Sequence, residues 1–172
     1  AAPDTGNMEM LAAYGTEEQK KRWLEPMLNQ EIWSAYSMTE PQGGSDPRLF
    51  KTHALRVGDE WVINGEKWFT SAGRAADILF VMCTNGMFVV PRDTPGVEIM
   101  PEPRTHSHIK YTDVVVPGDH LLGPEDGARV LAPGGYPRLR FVPHVADESV
   151  LVVHQGQPGM GCLVGNAFGQ DV

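Results

Sequence analysis

Turn dipeptides cut residues 51 to 116 into short apolar segments, and that spacing restricts the chain to a mainly β arrangement. Asn64-Gly65 and Asn85-Gly86 are two-residue hairpin signals, because both positions tolerate positive φ, and Gly58-Asp59 is a further turn. The segments between them are Lys51 to Val57, Glu60 to Ile63, Glu66 to Thr70, Asp77 to Thr84 and Met87 to Val90. After the Pro91 to Gly96 loop come Val97 to Met100 and Ile109 to Val116. An aromatic-rich strand is expected earlier, over Glu31 to Met38. Many short strands joined by tight turns predict a sandwich or barrel.

Two short helices precede the β region. Met8, Met10, Leu11 and Tyr14 fall mostly at three- and four-residue spacings, predicting a helix from Asn7 to Tyr14 that Gly15 stops. Thr16 with Gln19 three residues on is a capping box, opening a second helix from Glu17 to about Leu28. Two such helices cannot bury a core alone, so residues 1–30 read as the tail of a helical domain. Residues 31–132 read as the β domain. From Pro133 the Gly and Pro content rises and the pattern breaks. Residues 133–172 are left unassigned, with Leu139 to Val145 and Val150 to Val153 as possible strands.

The formal net charge of -8 argues against a nucleic-acid partner, which needs a basic face to displace counterions. It gives no general attraction to anionic membranes, and no apolar run is long enough to span one. Backbone N–H groups can still hold a phosphate-bearing cofactor. The two cysteines, Cys83 and Cys162, lack metal-ligand or disulfide spacing and suit a reducing compartment. No signal peptide is visible at Ala1-Ala2-Pro3-Asp4, so a cytoplasmic location is expected, mitochondrial in a eukaryote.

Two segments carry chemistry. In Tyr36-Ser37-Met38-Thr39-Glu40-Pro41-Gln42-Gly43-Gly44-Ser45-Asp46, a strand ends in a rigid Glu-Pro step. Two glycines then let the backbone pass close to something bulky, and Ser45 and Asp46 offer a hydroxyl and turn N–H groups to an oxyanion. Taken alone, the stretch is also ordinary turn chemistry. In Asn64-Gly65-Glu66-Lys67-Trp68-Phe69-Thr70-Ser71-Ala72-Gly73, two aromatics sit beside two hydroxyls. That set could pack on a flat ring and bond its heteroatoms, though a buried Trp-Phe pair in a β core is the commoner reading of such a pair.

Together the two segments resemble the flavin-contacting segments of acyl-CoA dehydrogenases, in order and spacing. Gly15-Thr16-Glu17-Glu18-Gln19-Lys20 upstream, and Pro91-Arg92-Asp93-Thr94-Pro95-Gly96 and Tyr111-Thr112-Asp113-Val114-Val115-Val116-Pro117 downstream, match as well. The likeness covers roughly residues 6 to 132. The Lys-Trp-Phe-Thr-Ser-Ala-Gly version and the His106-Ser107-His108-Ile109 stretch most resemble the branch typified by human family members ten and eleven.

The resemblance implies the family's middle-domain β fold and FAD as cofactor. Tyr36, Met38 and Thr39 would line the flavin, with Thr39 on its pyrimidine side. Gly44 and Ser45 would lie by the pyrophosphate and the acyl-CoA entrance, and Ser45 would also touch substrate. Phe69, Thr70 and Ser71 would cover the rest of the ring; Phe69 stands where many relatives have Trp and lacks the indole donor. The implied reaction is α,β-dehydrogenation of an acyl-CoA thioester, with loss of an α-proton to a carboxylate and of a β-hydride to the flavin. An electron-transfer flavoprotein would take the electrons, and the full-length enzyme would be a homo-oligomer.

No catalytic residue can be named. The family's base is a glutamate in a later helical domain, Glu40 reads as a residue that fixes its loop, and Asp147 and Glu148 match no motif. No metal ligand is expected. The chain thus reads as an incomplete piece of the enzyme. The alternative is a non-catalytic remnant of the fold acting as an interaction module, and the most remote reading is a sugar- or protein-binding sandwich.

Overall fold

The computed structural model describes residues 3–44, 46–101 and 106–124, together with the backbone of strands Leu139–Pro143 and Val150–His154. Helix α1 spans Asp4–Tyr14, beginning before the apolar pattern that predicts it, and ends where the Gly15 N–H bonds the Leu11 carbonyl. The next helical stretch is three joined pieces: α2 (Glu17–Gln19), a π-turn over Lys20–Leu24, and α3 (Glu25–Leu28). The Thr16–Gln19 capping box is present in full.

Eight strands form two four-stranded sheets. One runs β1 (Ser34–Ser37), β4 (Ile78–Cys83), β5 (Gly86–Pro91) and β8 (Leu121–Leu122), with β1 parallel to β4 and the remaining pairs antiparallel. The other runs β2 (His53–Val57), β3 (Glu60–Ser71), β7 (His106–Pro117) and β6 (Val97–Ile99), antiparallel throughout. Strands β9 (Leu139–Pro143) and β10 (Val150–His154) pair antiparallel as a separate ribbon.

The layers are helices, first sheet, second sheet. All six side chains of β4 are buried because that strand is covered on both faces. Its Leu79, Val81 and Cys83 join Trp61, Ile63, Phe88, Ile109, Tyr111 and Val114 between the sheets. Its Ile78, Phe80 and Met82 face the other way, onto Met10, Leu11, Trp23 and Met27 of the helices. This is a sandwich with a helical layer on one face, as the strand spacing predicts.

Three expectations change in detail. The first strand is shorter than Glu31 to Met38. The Asn85-Gly86 hairpin forms, with Thr84 and Asn85 in the turn and Gly86 already paired to Cys83. Asn64-Gly65 is not a hairpin: β3 runs straight through it, and the hairpin before it turns at Gly58-Asp59. Here the partner strand β7 carries an extra residue, with Asp113 at φ 48, and Asn64 closes the irregularity by bonding the Asp113 side chain and N–H. The glycine serves a close approach instead. A Cβ on Gly65 would lie 2.3 Å from Thr52 Oγ1 and 2.6 Å from the Thr52 Cα.

Candidate functional site

The two motif segments meet. The Trp68 N–H donates to the Thr39 carbonyl at 2.7 Å, joining the chain just beyond β1 to the far half of β3. Lys67 completes the union: its Nζ donates to the Met38 carbonyl and to Glu40 Oε1, both at 2.8 Å. Glu40 and Lys67 are buried, at 2% and 0% side-chain exposure. The carboxylate is fully engaged, since it also accepts from the N–H groups of Lys51 and Thr52 and from Gln42 Nε2. Burial alone would raise the Glu40 carboxyl, but the bonds from Lys67, Thr52 and Lys51 hold it below the usual carboxylate range. Glu40 is therefore the anchor of its loop.

The aromatic segment is re-aimed by a bulge. Between Lys67↔Ile109 and Thr70↔Ser107, β3 has one residue more than β7, so Trp68 and Phe69 together oppose His108. Phe69 takes φ 58 and is 54% exposed; Ala72 has φ 59. An L-residue with an aromatic side chain pays a steric cost in this left-handed region, which the surrounding sheet must hold in place. The Trp68 ring lies edge-on to both Phe69 and His108, at centroid distances of 5.8 and 5.7 Å. Its indole N–H is buried without a hydrogen-bond partner among the described residues.

The same bulge sends Thr70 and Ser71 to opposite sides. Thr70 Oγ1 lies between the sheets, 3.0 Å from Ser37 Oγ, which also meets Tyr111 OH at 2.8 Å. Ser71 is half-buried, and its Oγ is 2.8 Å from His106 Nδ1. Tyr36 and Met38 alternate away from Ser37 and pack toward the helix side of the first sheet. Burial pushes the Tyr36 phenol well above its usual range.

Gly44 has φ 51 with open space where a Cβ would stand, while Gly43 is the crowded glycine: a Cβ there would lie 2.8 Å from the Phe50 ring. The close approach foreseen for this loop is thus made to the protein's own Phe50. Ser45, assigned to cofactor and substrate, lies outside the described residues.

The structure therefore joins Thr39 to the Trp68–Ser71 segment, exposes Phe69 and directs Thr70 into the core. The sequence reading missed three contributors. Lys67 was visible only as a motif letter, the bulge has no local signal, and His106 comes from a distant strand.

An exposed ring, a buried indole donor with no partner among the described residues and a half-buried hydroxyl on one bulged strand suit a flat heteroaromatic group. FAD fits this set: a face for its ring and polar atoms for its edge.

Comparison with known proteins identifies the fold and the family. Residues 35–114 match the model of the acyl-CoA dehydrogenase middle domain. A Mycobacterium tuberculosis protein named "Probable acyl-CoA dehydrogenase FadE2" is 44% identical over 155 residues, covering 77% of this chain and 38% of that protein. Human acyl-CoA dehydrogenase family member 11 is 42% identical over 126 residues, 65% of this chain and 16% of its own length. Among solved structures, a glutaryl-CoA dehydrogenase from Mycobacterium smegmatis in complex with FADH2 superposes with a TM-score of 0.63 at 30% identity, covering 69% of this chain and 34% of that one. The chain thus spans well under half the length of these relatives. On its motifs, its sandwich and these matches, it belongs to the acyl-CoA dehydrogenase family.

Proposed function

We propose that this chain carries the flavin-contacting part of an enzyme that dehydrogenates acyl-CoA thioesters between the α and β carbons. The observation that carries the reading is the strained, exposed Phe69, held beside Trp68 and Ser71 by the bond between Thr39 and Trp68. FAD, when bound, supplies the redox chemistry of the reaction. The residues of this chain supply placement. Phe69 offers an apolar face, Thr39 and Ser71 offer polar groups at the ring edge, and Lys67 with Glu40 keeps the two segments in register. Gly44 holds the left-handed turn next to Ser45, the residue assigned to the pyrophosphate and the acyl-CoA entrance.

Removal of the α-proton is assigned to no residue here. Glu40 is the buried carboxylate within the motif segments, and its acceptor capacity is spent on Lys67, Lys51, Thr52 and Gln42. The reading includes an electron-transfer flavoprotein as acceptor and a homo-oligomeric complete enzyme. It also includes a reducing compartment, cytoplasmic or, in a eukaryote, mitochondrial, in keeping with the free, buried Cys83. Among the described residues, no helix is long and apolar enough to cross a membrane.

Titrating the purified protein with FAD, followed by the visible flavin band and quenching of flavin fluorescence, tests the proposal. Saturable binding is expected. Absence of binding at high FAD would overturn it and favour the interaction-module alternative.

A further inference from the structure

We propose that His106 is a positioning residue that sets the Ser71 hydroxyl toward the flavin, an inference that rests on the flavin reading above. Ser71 and His106 are direct cross-strand partners on β3 and β7, and Ser71 Oγ lies 2.8 Å from His106 Nδ1. Both residues are half-buried. The backbone on either side of Ser71 is tightly constrained: the Lys67–Thr70 bulge precedes it and Ala72, at φ 59, follows it. The neighbouring hydroxyl, Thr70 Oγ1, is turned inward onto Ser37. Of the two hydroxyls in the motif, Ser71 is therefore the one left on the outer side, and its direction is set from β7.

A serine hydroxyl has one proton and can rotate, so its partner decides what it offers to a ligand. With Nδ1 unprotonated, the Ser71 proton points to His106 and the oxygen presents lone pairs outward. With the proton on Nδ1, His106 donates and Ser71 is free to donate to an acceptor on the cofactor. In both arrangements the histidine holds the oxygen in one place, which lowers the ordering cost of binding. His108, two residues on, is already engaged with Glu66 Oε1 and stands edge-on to Trp68. The effect is therefore specific to His106.

The experiment measures the FAD dissociation constant by fluorescence quenching for the wild type, Ser71→Ala, His106→Leu, His106→Asn and the double variant Ser71→Ala/His106→Leu. Thermal unfolding of the FAD-free proteins is recorded in parallel. Asn and Leu are nearly isosteric, and Asn places a polar atom near the position of Nδ1. His106→Leu is expected to weaken FAD about fivefold, the scale of one net hydrogen bond, while His106→Asn stays within about twofold of wild type. The double variant is expected to bind no more weakly than Ser71→Ala, because the two residues act as one unit.

Three results sink the inference alone: His106→Leu binds FAD as wild type does; it weakens FAD equally in the wild-type and Ser71→Ala backgrounds; or Leu and Asn weaken FAD alike in step with lost thermal stability. A wild-type protein that binds no FAD overturns the flavin reading itself, and this inference with it.

Discussion

Phe69 is the residue at which stability and function are opposed. Its left-handed backbone costs roughly 1–2 kcal/mol for a non-glycine residue, and its ring is more than half exposed, so burial returns little. Phe69→Gly is therefore expected to leave the FAD-free protein as stable or more stable by about 1 kcal/mol in urea unfolding, and to weaken FAD. A variant that lost stability and kept its FAD affinity would show that the ring is held for packing. Lys67 shows the opposite balance. Lys67→Met leaves the buried Glu40 carboxylate without its ion-pair partner, at an expected cost of about 3–5 kcal/mol. Adding Glu40→Gln removes the stranded charge, and urea unfolding of the double variant should recover part of that loss. Phe69 was legible as a motif member; its conformation was not, because φ at one residue follows from the register of two strands.

Among the elements, β3 organises the site. It pairs with β2 on one side and β7 on the other, and its two irregularities compensate: β7 carries the extra residue at Asp113, and β3 carries it at Trp68-Phe69. The first allows Gly65 to pass against Thr52, and the second turns Phe69 outward. Gly65→Ala would drive a Cβ into the β2 side of the sheet, with the Thr52 Cα 2.6 Å away, and would place Ala at φ 153. A loss of about 2–3 kcal/mol is expected in chemical unfolding, since neither backbone can yield without breaking the β2–β3 pairing. An unchanged midpoint would mean the sheet accommodates the methyl group. The Asn64-Gly65 pair reads as a hairpin because both residues tolerate positive φ; in the bulged strand only Gly65 of the pair has it, Asn64 instead bonding Asp113, and local preference does not distinguish the two.

At the scale of the whole molecule, the joint between helices and sandwich rests on polar contacts as well as on the second core. Gln19 Nε2 donates to the carbonyls of Asp119 and Leu121, and His120 is buried with its ring edge-on to Trp23. His120 Nδ1 meets the Val89 carbonyl, and its Nε2 has no partner among the described residues. Burial holds its pKa below the usual imidazole value, with Arg22 acting in the same direction and the Val89 carbonyl and Asp119 opposing. The folded state thus resists protonation more than the unfolded state, whose imidazole titrates near about 6.5. Stability from this group is present above that pH and lost as pH falls through the lower folded value. Thermal midpoints are expected to decline on acidification from about pH 6.5, well before the Glu40 carboxylate titrates, and His120→Gln should flatten that first decline. An unaltered slope in the variant would assign the loss to other groups.

Residue order was enough to establish the family, the two motif segments, the capping box, the apolar run that becomes β4, the turn at Gly58-Asp59 and, to within one residue, the hairpin at Asn85-Gly86. The family rests on several motifs in one order; each of the other features depends on neighbours a few positions apart, through apolar pattern, capping or turn preference. Pairing between distant strands settled the remainder. The bulge that exposes Phe69 and buries Thr70, the Lys67 bridge to Met38 and Glu40, and the contact of Ser71 with His106 arise where strands far apart in the chain come into register. A one-residue shift in that register exchanges inward and outward side chains, and no short stretch of sequence records it.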